Sequence, residues 1–373
     1  MIQKRVLILI KGLGLGGAET LLTAAAPHLD HQRFCYHVGY FLPWKDALAE
    51  PLEAAGLPVS CFGIRWMADL RAVLRVRAYV REQGIELIHA HLPWPSVIAR
   101  AVARCCNVKV VYTEHGCWER LHPLTRIVNR WTMRWNDMSI AVSQDVAQSM
   151  SGSGSAPIRT ITNGVDCAQL QPTDASRVAV KQEFGIPEGH LVIGKIANLT
   201  TVKNHLLLVR AFARLLEVVP QATLLLVGQL RESTEAIRRL VDRLGIAERV
   251  VVAGPRQDVP RLLSAIDVLA ISSHTEGLPI SLLEGMALGC AVVCTRVGGI
   301  PSVVEDGRNG LLVEPGNVVQ MTAALEQLAQ RDGLATRLGQ AAARTVREQF
   351  DIARMVRQVE SLYGEVLQQQ TKK

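Results

Sequence analysis

Short apolar runs recur along the whole chain, most of them ending beside glycine, serine or histidine, with helical segments between them. RVLILI at 5–10, CYHVGYFL, VSCFGI, IELIHAHLP, VKVVYTEHG and DMSIAVS form one series; LVIGKIANL, ATLLLVG, RVVVAG, DVLAIS and GLLVEPGN form a second. Runs this short and this apolar read as strands buried on both faces, and strands alternating with helices read as a parallel sheet. Between the series lie SGSGSAP and a Pro-rich polar stretch reaching about Arg177, the composition of a surface loop and a hinge. A length of 373 residues suits two cores. The expected class is α/β with two Rossmann-like domains, 1–168 and 169–351.

In open α/β sheets ligands bind outside the carboxyl ends of the strands. The most informative such end is SSHTEGLPISLLEGMALG, residues 272–289, where Glu276 and Glu284 stand eight positions apart. Pro279 fits the first turn of a helix, where its missing N–H costs nothing. The backbone N–H groups around Leu278, Ile280 and Ser281 then lack helical partners and face an anion favoured by the helix dipole. A carboxylate inside the helix, Glu284, can grip vicinal hydroxyls such as those of a ribose. A loop carboxylate, Glu276, can reach a sugar. The pattern suits a diphosphate flanked by two hydroxyl-rich groups, a nucleotide sugar. The competing readings of the glutamates are a solvated helix face and a paired-carboxylate hydrolase.

The first strand runs into KGLGLGGAET, where Gly12, Gly14 and Gly17 match the dinucleotide fingerprint. That fingerprint needs an acid ending the second strand, and Leu42-Pro43-Trp44-Lys45 stands there instead. An NAD-type oxidoreductase is therefore disfavoured. The same glycines also fit a turn that only lets strand and helix pack closely. His89 and His91 end one strand, and Glu114-His115-Gly116 ends the next. His89 reads as a packing histidine; His91 and His115 read as ligand-facing.

With 49% hydrophobic and 20% charged residues the chain is a folded protein, and no apolar run is long enough to span a bilayer. The start, MIQKRVLILIKG, reads as a first buried strand rather than a signal peptide. The eight cysteines show no C-x-x-C pair and read as reduced thiols. Net charge is +7, and residues 61–135 hold twelve Lys/Arg against five acids, which implies an anionic partner. No nucleic-acid module is present, so nucleic acid ranks last. Within CWERLHPLTRIVNRWTMRW, residues 117–135, Arg126, Arg130 and Arg134 share a helix face beside Ile127, Trp131 and Trp135. The pattern fits a helix lying on an anionic lipid surface and equally an ordinary amphipathic helix with its tryptophans in the core.

The Glu-x7-Glu element, followed by GCAVVCTRVGGIPSVVEDGRNGLLVEPGN, resembles the retaining glycosyltransferases of family 4, the group 1 transferases with the GT-B fold. The resemblance covers nearly the whole chain and is strongest between Gly194 and Asn317. It implies two Rossmann-like domains whose parallel sheets face across a cleft, with the last helix, about 352–373, packed back on the first domain. It implies that Gly16 and Gly17, in the Gly-Gly-x-Glu loop, approach donor phosphates or acceptor, and that His115 lies close to the transferred sugar. Lys203 matches the family's diphosphate-binding lysine, whereas Asn198 stands where arginine is usual, which removes a positive charge. Gly277, Leu278, Pro279, Ile280 and Glu284 would bind the nucleotide; Lys203 and Glu276, with His115, would serve the reaction. The implied activity is transfer, with retention, of a hexose-like sugar from a UDP- or GDP-sugar to a lipid-linked or saccharide acceptor in glycolipid, cell-wall or exopolysaccharide synthesis. No cofactor and no metal are expected, since no Asp-x-Asp pair occurs. The expected location is the cytoplasm, peripheral on the inner face of the plasma membrane if the basic helix meets lipid. A non-catalytic sugar-nucleotide-binding relative is the alternative.

Overall fold

The computed structural model describes residues 3–64, 69, 71–118, 122–152, 156–170 and 174–368. Arg65, Glu119 and Arg120 of the basic segment, the middle of SGSGSAP, the linker at 171–173 and the tail beyond 368 lie outside the described residues. The chain divides into two compact units, Met1–Gly164 with Ile352–Lys373, and Val165–Asp351. The division falls before residue 165 rather than after 168. Val165 already bridges to Asp351, and its N–H donates to the Phe350 carbonyl at 2.9 Å.

In the first unit the elements are β1 (Lys4–Leu9), α1 (Gly17–Ala25), β2 (Phe34–Tyr40), α2 (Ala49–Ala54), β3 (Val59–Cys61), α3 (Arg71–Glu82), β4 (Leu87–His91), α4 (Pro93–Ala103), β5 (Lys109–Glu114), α5 (Pro123–Thr132), β6 (Met138–Ala141), α6 (Gln144–Met150) and β7 (Ile158–Thr160). Among the described residues the strands form one parallel sheet in the order β3-β2-β1-β4-β5-β6-β7. Alternation along a strand sends neighbours to opposite faces. Val6, Ile8 and Ile10 enter one core with Leu22 and Leu362, while Leu7 and Leu9 enter the other with Val76, Ile98 and Val102.

The second unit holds α7 (Asp174–Glu183), β8 (Leu191–Ile196), α8 (His205–Val218), β9 (Ala222–Val227), α9 (Thr234–Arg243), β10 (Val250–Gly254), α10 (Val259–Ser264), β11 (Val268–Ile271), α11 (Ile280–Ala287), β12 (Ala291–Thr295), β13 (Leu311–Val313), α12 (Val318–Gln330) and α13 (Leu334–Gln349). Its described strands form a parallel sheet in the order β10-β9-β8-β11-β12-β13. A core on one side of this sheet joins β8, β9, β11 and β12 to α8 and α12 through Leu224, Leu226, Phe212, Leu215, Met321 and Leu325. No described helix is long and apolar enough to cross a membrane.

The final helix, α14 (Ile352–Gln368), belongs to the first unit. Apolar burial of Leu362, Tyr363 and Val366 supplies the contact, and polar bonds set its position. The buried Glu360 carboxylate accepts from the Tyr36 hydroxyl at 2.6 Å and from the Asp30 N–H at 2.8 Å, and the Tyr363 hydroxyl meets His89 Nδ1. Replacing Glu360 with alanine leaves the buried Tyr36 hydroxyl and the half-buried Asp30 N–H without their acceptor, and such hydrogen bonds to charged groups are worth about 1.5–3 kcal/mol each. Glu360→Ala is expected to lower the unfolding free energy of the first unit by roughly 3 kcal/mol in urea titrations; a loss below about 0.5 kcal/mol, the scale of an inert surface change, contradicts the role given to the carboxylate.

Candidate active site

The second sheet winds outward from β8 in both directions, through β9 and β10 on one side and β11, β12 and β13 on the other. The crevice outside the carboxyl ends of β8 and β11 is thus the topological switch point, where doubly wound folds bind ligands. Two loops meet there. The loop after β8 ends in a 3-10 turn, Thr201–Lys203, and Asn204, in the left-handed region with φ 46°, caps α8 by accepting from the Leu207 N–H. The loop after β11 carries Ser272 to Pro279. The His274 N–H donates to the Val202 carbonyl at 2.9 Å and joins the two loops.

Their shared product is an ion pair. Lys203 Nζ stands 2.7 Å from both oxygens of Glu276, and Ser273 Oγ donates to the same carboxylate at 2.6 Å. Glu276 is only 5% exposed. A carboxylate this buried persists only because a cation and donors meet it, and removing one partner of such a pair costs about 3–5 kcal/mol. The loop's backbone is pinned from the next strand: Thr295 Oγ1 donates to the Ser273 carbonyl at 2.7 Å. Gly298, at φ +53°, lies so close that a Cβ there would stand 1.9 Å from the Glu276 carbonyl oxygen. The absence of a side chain at position 298 is thus required by the loop that carries Glu276.

Helix α11 starts one residue later than expected. Pro279 has φ −65° and ψ 128°, so its fixed φ is used at the N-cap, and Ile280 opens the helix. Ser281 Oγ donates to the Ile196 carbonyl at 3.1 Å, fastening the helix start to the end of β8. Gly285 lets α11 lie close on β11, since a Cβ there would stand 2.4 Å from Leu269 Cδ2. Glu284, one turn into the helix, is half-buried, and among the described residues its side chain accepts no hydrogen bond; burial pushes its carboxyl up to about 7. A carboxylate on a helix in this setting can accept ligand hydroxyls.

Asn198 does not project a charge where arginine is usual. Its Oδ1 accepts from the Gln229 N–H at 3.1 Å and ties the β8 loop to the β9 loop. A cation missed in the sequence lies below: Lys195 on β8, 1% exposed, donates from Nζ to Ser272 Oγ at 3.0 Å. Ser272 Oγ donates onward to the Asn204 carbonyl at 2.9 Å. Burial pushes Lys195 down to about 7 and the adjacent His205 down to about 2.

In the first unit Gly16 is the N-cap of α1 and Gly17 its first residue. The glycine loop is stitched to the segment after β2 by Leu13 N–H to the Lys45 carbonyl and Leu48 N–H to the Leu13 carbonyl. The Glu19 side chain folds back against Gly16, and burial pushes its carboxyl up. His91 Nδ1 lies 3.0 Å from His115 Nε2 with the rings stacked, while His89 is buried between Thr113 and Tyr363 as a packing residue. Burial pushes His115 down to about 4 and His89 to about 3, so both are neutral at pH 7. The backbone at His115 is fixed by its neighbour: the buried Glu114 carboxylate accepts from the His115 N–H at 2.9 Å, the Gly116 N–H at 3.2 Å and Trp118 Nε1 at 2.9 Å. A cavity of about 70 Å³ beside the histidines, between the sheet and helices α1 and α14, has a mostly apolar lining that includes Leu21, Leu22, Ile140, Met355 and Val359, with Asn163 and Glu360 also on its walls.

Helix α5 is turned inside out. Its inward side chains are Asn129 and Thr132, which bond the buried Arg100 guanidinium at 2.6 and 2.8 Å. Outward, beside Arg126 and Arg130, it exposes an apolar ridge: Leu124, Ile127 and Trp131 are 64, 63 and 60% exposed, and Val128 is also exposed. Arg134 stacks on Trp131 and Arg130 on Trp118.

Residues 15–169 match the family profile for glycosyltransferase family 4, and residues 176–345 match that for glycosyl transferases group 1. The N-acetyl-alpha-D-glucosaminyl L-malate synthase of Bacillus anthracis is 30% identical over 307 residues, 80% of each chain. The UDP-Gal:alpha-D-GlcNAc-diphosphoundecaprenol alpha-1,3-galactosyltransferase of Escherichia coli is 21% identical over 339 residues, 86% of each. Among solved structures, Anabaena HepE in complex with UDP and glucose superposes with a TM-score of 0.88 at 24% identity, covering 97% of this chain and 100% of that one. Sheets, switch point and sequence thus define a glycosyltransferase of the GT-B class. The chain belongs to the group 1 glycosyltransferases of family 4.

The close approach at Gly298 is testable against a glycine that has the same handedness and open space, Gly307 at φ +73°. Gly307→Ala is expected to cost about 1–2 kcal/mol, the strain of the left-handed region alone. Gly298→Ala adds a backbone clash and is expected to cost more than about 3 kcal/mol in chemical denaturation; equal losses contradict the packing described for the Glu276 loop.

Proposed function

We propose that this transferase moves a sugar from a nucleoside diphosphate, with UDP the first candidate, to a hydroxyl of a lipid-linked or saccharide acceptor, and that the anomeric configuration is retained. The observation that carries the reading is the switch point of the second unit, where the Lys203–Glu276 pair and the unpartnered Glu284 stand on loops and a helix fastened to one another. The names of the E. coli and Anabaena relatives, with their UDP-linked ligands, favour the same donor class.

Breaking the glycosidic bond leaves positive charge at the anomeric carbon and adds negative charge to the diphosphate. The Lys203 ammonium and the backbone amides of Ile280 and Ser281 at the start of α11 would stabilise that diphosphate, and one such preorganised donor is worth about 3 kcal/mol. Glu284 would accept ribose hydroxyls. Glu276, held by Lys203 and Ser273, would accept hydroxyls of the sugar, and neutral His115 could take or give a hydrogen bond on the acceptor side. Glu114 positions His115 without touching substrate.

Thermal-shift titration with UDP-, GDP- and ADP-sugars is expected to show stabilisation by one base class, with Lys203→Ala and Glu284→Ala each abolishing most of it. Parent-like shifts in both variants refute the site. Because Glu284 must be ionised to accept two hydroxyls, UDP affinity is expected to fall about tenfold per pH unit below 7. Glu284→Gln should flatten this acid limb at pH values where the nucleotide itself keeps its charge; an unchanged limb in that variant removes Glu284 from the ribose.

The inverted helix α5 favours one further part of the proposal, contact with an anionic lipid surface. Withdrawing each of its apolar side chains fully from water is worth roughly 1.5–3 kcal/mol, and the flanking Arg126, Arg130 and Arg134 suit lipid phosphates. The protein is expected to sediment with phosphatidylglycerol vesicles but not with phosphatidylcholine vesicles, and release is expected as salt rises. Ile127→Ser with Trp131→Ser should abolish binding while leaving the melting temperature unchanged. Equal sedimentation of parent and double variant rejects the lipid surface.

A further inference from the structure

We infer that Lys195 is a second cation of the donor site, charged by the arriving diphosphate and replacing the guanidinium that Asn198 does not supply; the inference rests on the donor reading above. The argument begins with the place of its ammonium. Lys195 leaves β8 one residue before the strand ends, and Nζ reaches Ser272, the first residue past β11. It therefore lies at the floor of the crevice between the two strands where the sheet reverses. Through Ser272 Oγ it is one hydrogen bond from the backbone of Asn204, next to Lys203.

A lysine buried to this degree needs a reason. The structure gives it one hydroxyl partner and no carboxylate at bonding distance among the described residues. The groups that face it are Lys203 on the β8 loop, His205 at the start of α8, Glu276 on the β11 loop and Cys294 on β12. Lys203 opposes its charge, Glu276 and Cys294 favour it, and burial dominates, holding Lys195 down to about 7. His205 stays neutral, and the Glu276 carboxylate is already engaged by Lys203 at 2.7 Å. A diphosphate at this crevice brings more negative charge than Lys203 alone can balance. The remaining ionisable cation within the protein layer beneath it is Lys195, so binding drives a proton onto it. Ser272 and the Lys203–Asn204 backbone then act as the rigid link between the buried ammonium and the phosphate-binding loop, which makes Lys195 a positioning and charge-balancing residue rather than one that touches the reacting atoms.

The sign separates this lysine from Glu284. Glu284 must lose a proton to bind ribose, which weakens UDP binding on the acid side of neutrality; Lys195 must gain one, which weakens it on the alkaline side. The experiment is calorimetric titration of the full chain with UDP at pH 8, in two buffers of different ionisation enthalpy. The nucleotide and Glu284 are then largely deprotonated, and net uptake of a substantial fraction of a proton is expected. Zero uptake, or release, overturns the inference without any variant. Lys195→Met is expected to keep the parent's melting temperature or exceed it, since an uncompensated buried charge is removed. It should bind UDP at least tenfold more weakly at pH 7, take up no proton at pH 8, and lose the fall in affinity between pH 7.5 and 9. Adding Asn198→Arg to Lys195→Met should recover affinity without recovering the proton uptake. A Lys195→Met protein that binds with parent affinity and parent pH profile refutes the role of Lys195 while leaving the donor site intact. Failure of the parent to bind UDP or GDP at all refutes the donor site itself, and this inference with it.

Discussion

One buried carboxylate organises the carboxyl-terminal unit. Glu276 is almost wholly withdrawn from water, and Lys203 and Ser273 converge on its side chain. Meeting that demand fixes much else. The β8 loop must bring Lys203 to the β11 loop, so the His274 N–H and the Val202 carbonyl join them. The loop after β12 must come close enough to brace the Glu276 backbone, so position 298 has no room for a side chain. Lys203 and Glu276 satisfy each other. Under the proposed function a ligand phosphate would compete with Glu276 for the Lys203 ammonium, and a sugar hydroxyl would compete for the carboxylate. Both exchanges would take place within one preformed network, which would leave little reorganisation for the moment of reaction.

The histidines of the amino-terminal unit obey a different constraint. They sit at the ends of β4 and β5, where burial removes their charge, so their chemistry there is that of neutral hydrogen-bonding rings. Orientation is supplied by hydrogen-bonding neighbours. Glu114 gathers three N–H groups around the turn at His115, and α14 brings Tyr363 onto His89. The last helix of the chain thus completes the polar wiring of a sheet whose first strand is the first element of the sequence.

What was legible in the sequence follows from what is local. Strands buried on both faces announce themselves as continuous apolar runs, so the two sheets could be placed from the pattern of the sequence. The Glu-x7-Glu spacing was legible for the same reason: a loop, a proline and a short helix fix where both carboxylates stand. Pro279 shows the limit of such reading, because an N-cap and a first helical position differ only in ψ, and proline constrains φ. Lys195 escaped notice because one lysine inside LVIGKIANL reads as a strand end, and only the pairing of β8 with β11 shows that its ammonium meets Ser272. Asn198 reads in the sequence only as an uncharged residue where the resemblance expects arginine; its bond to Gln229 depends on a strand some thirty residues away.

Helix α5 marks the deepest gap between pattern and structure. Its periodicity shows two stripes, one apolar and one polar, and in a water-soluble protein the apolar stripe normally turns inward. Here the decision belongs to Arg100 on α4. Its buried guanidinium needs acceptors, and Asn129 and Thr132 supply them together with Asn136. An unpaired guanidinium in the interior costs more than a few exposed leucine-sized side chains, so the polar stripe turns inward and Ile127 and Trp131 turn out. No window of sequence around the helix contains that information, because the residue that sets its orientation lies a helix and a strand earlier. The same choice that satisfies the core leaves an apolar ridge flanked by arginines on the surface, so a demand of internal electrostatics creates the surface that suits a lipid headgroup layer.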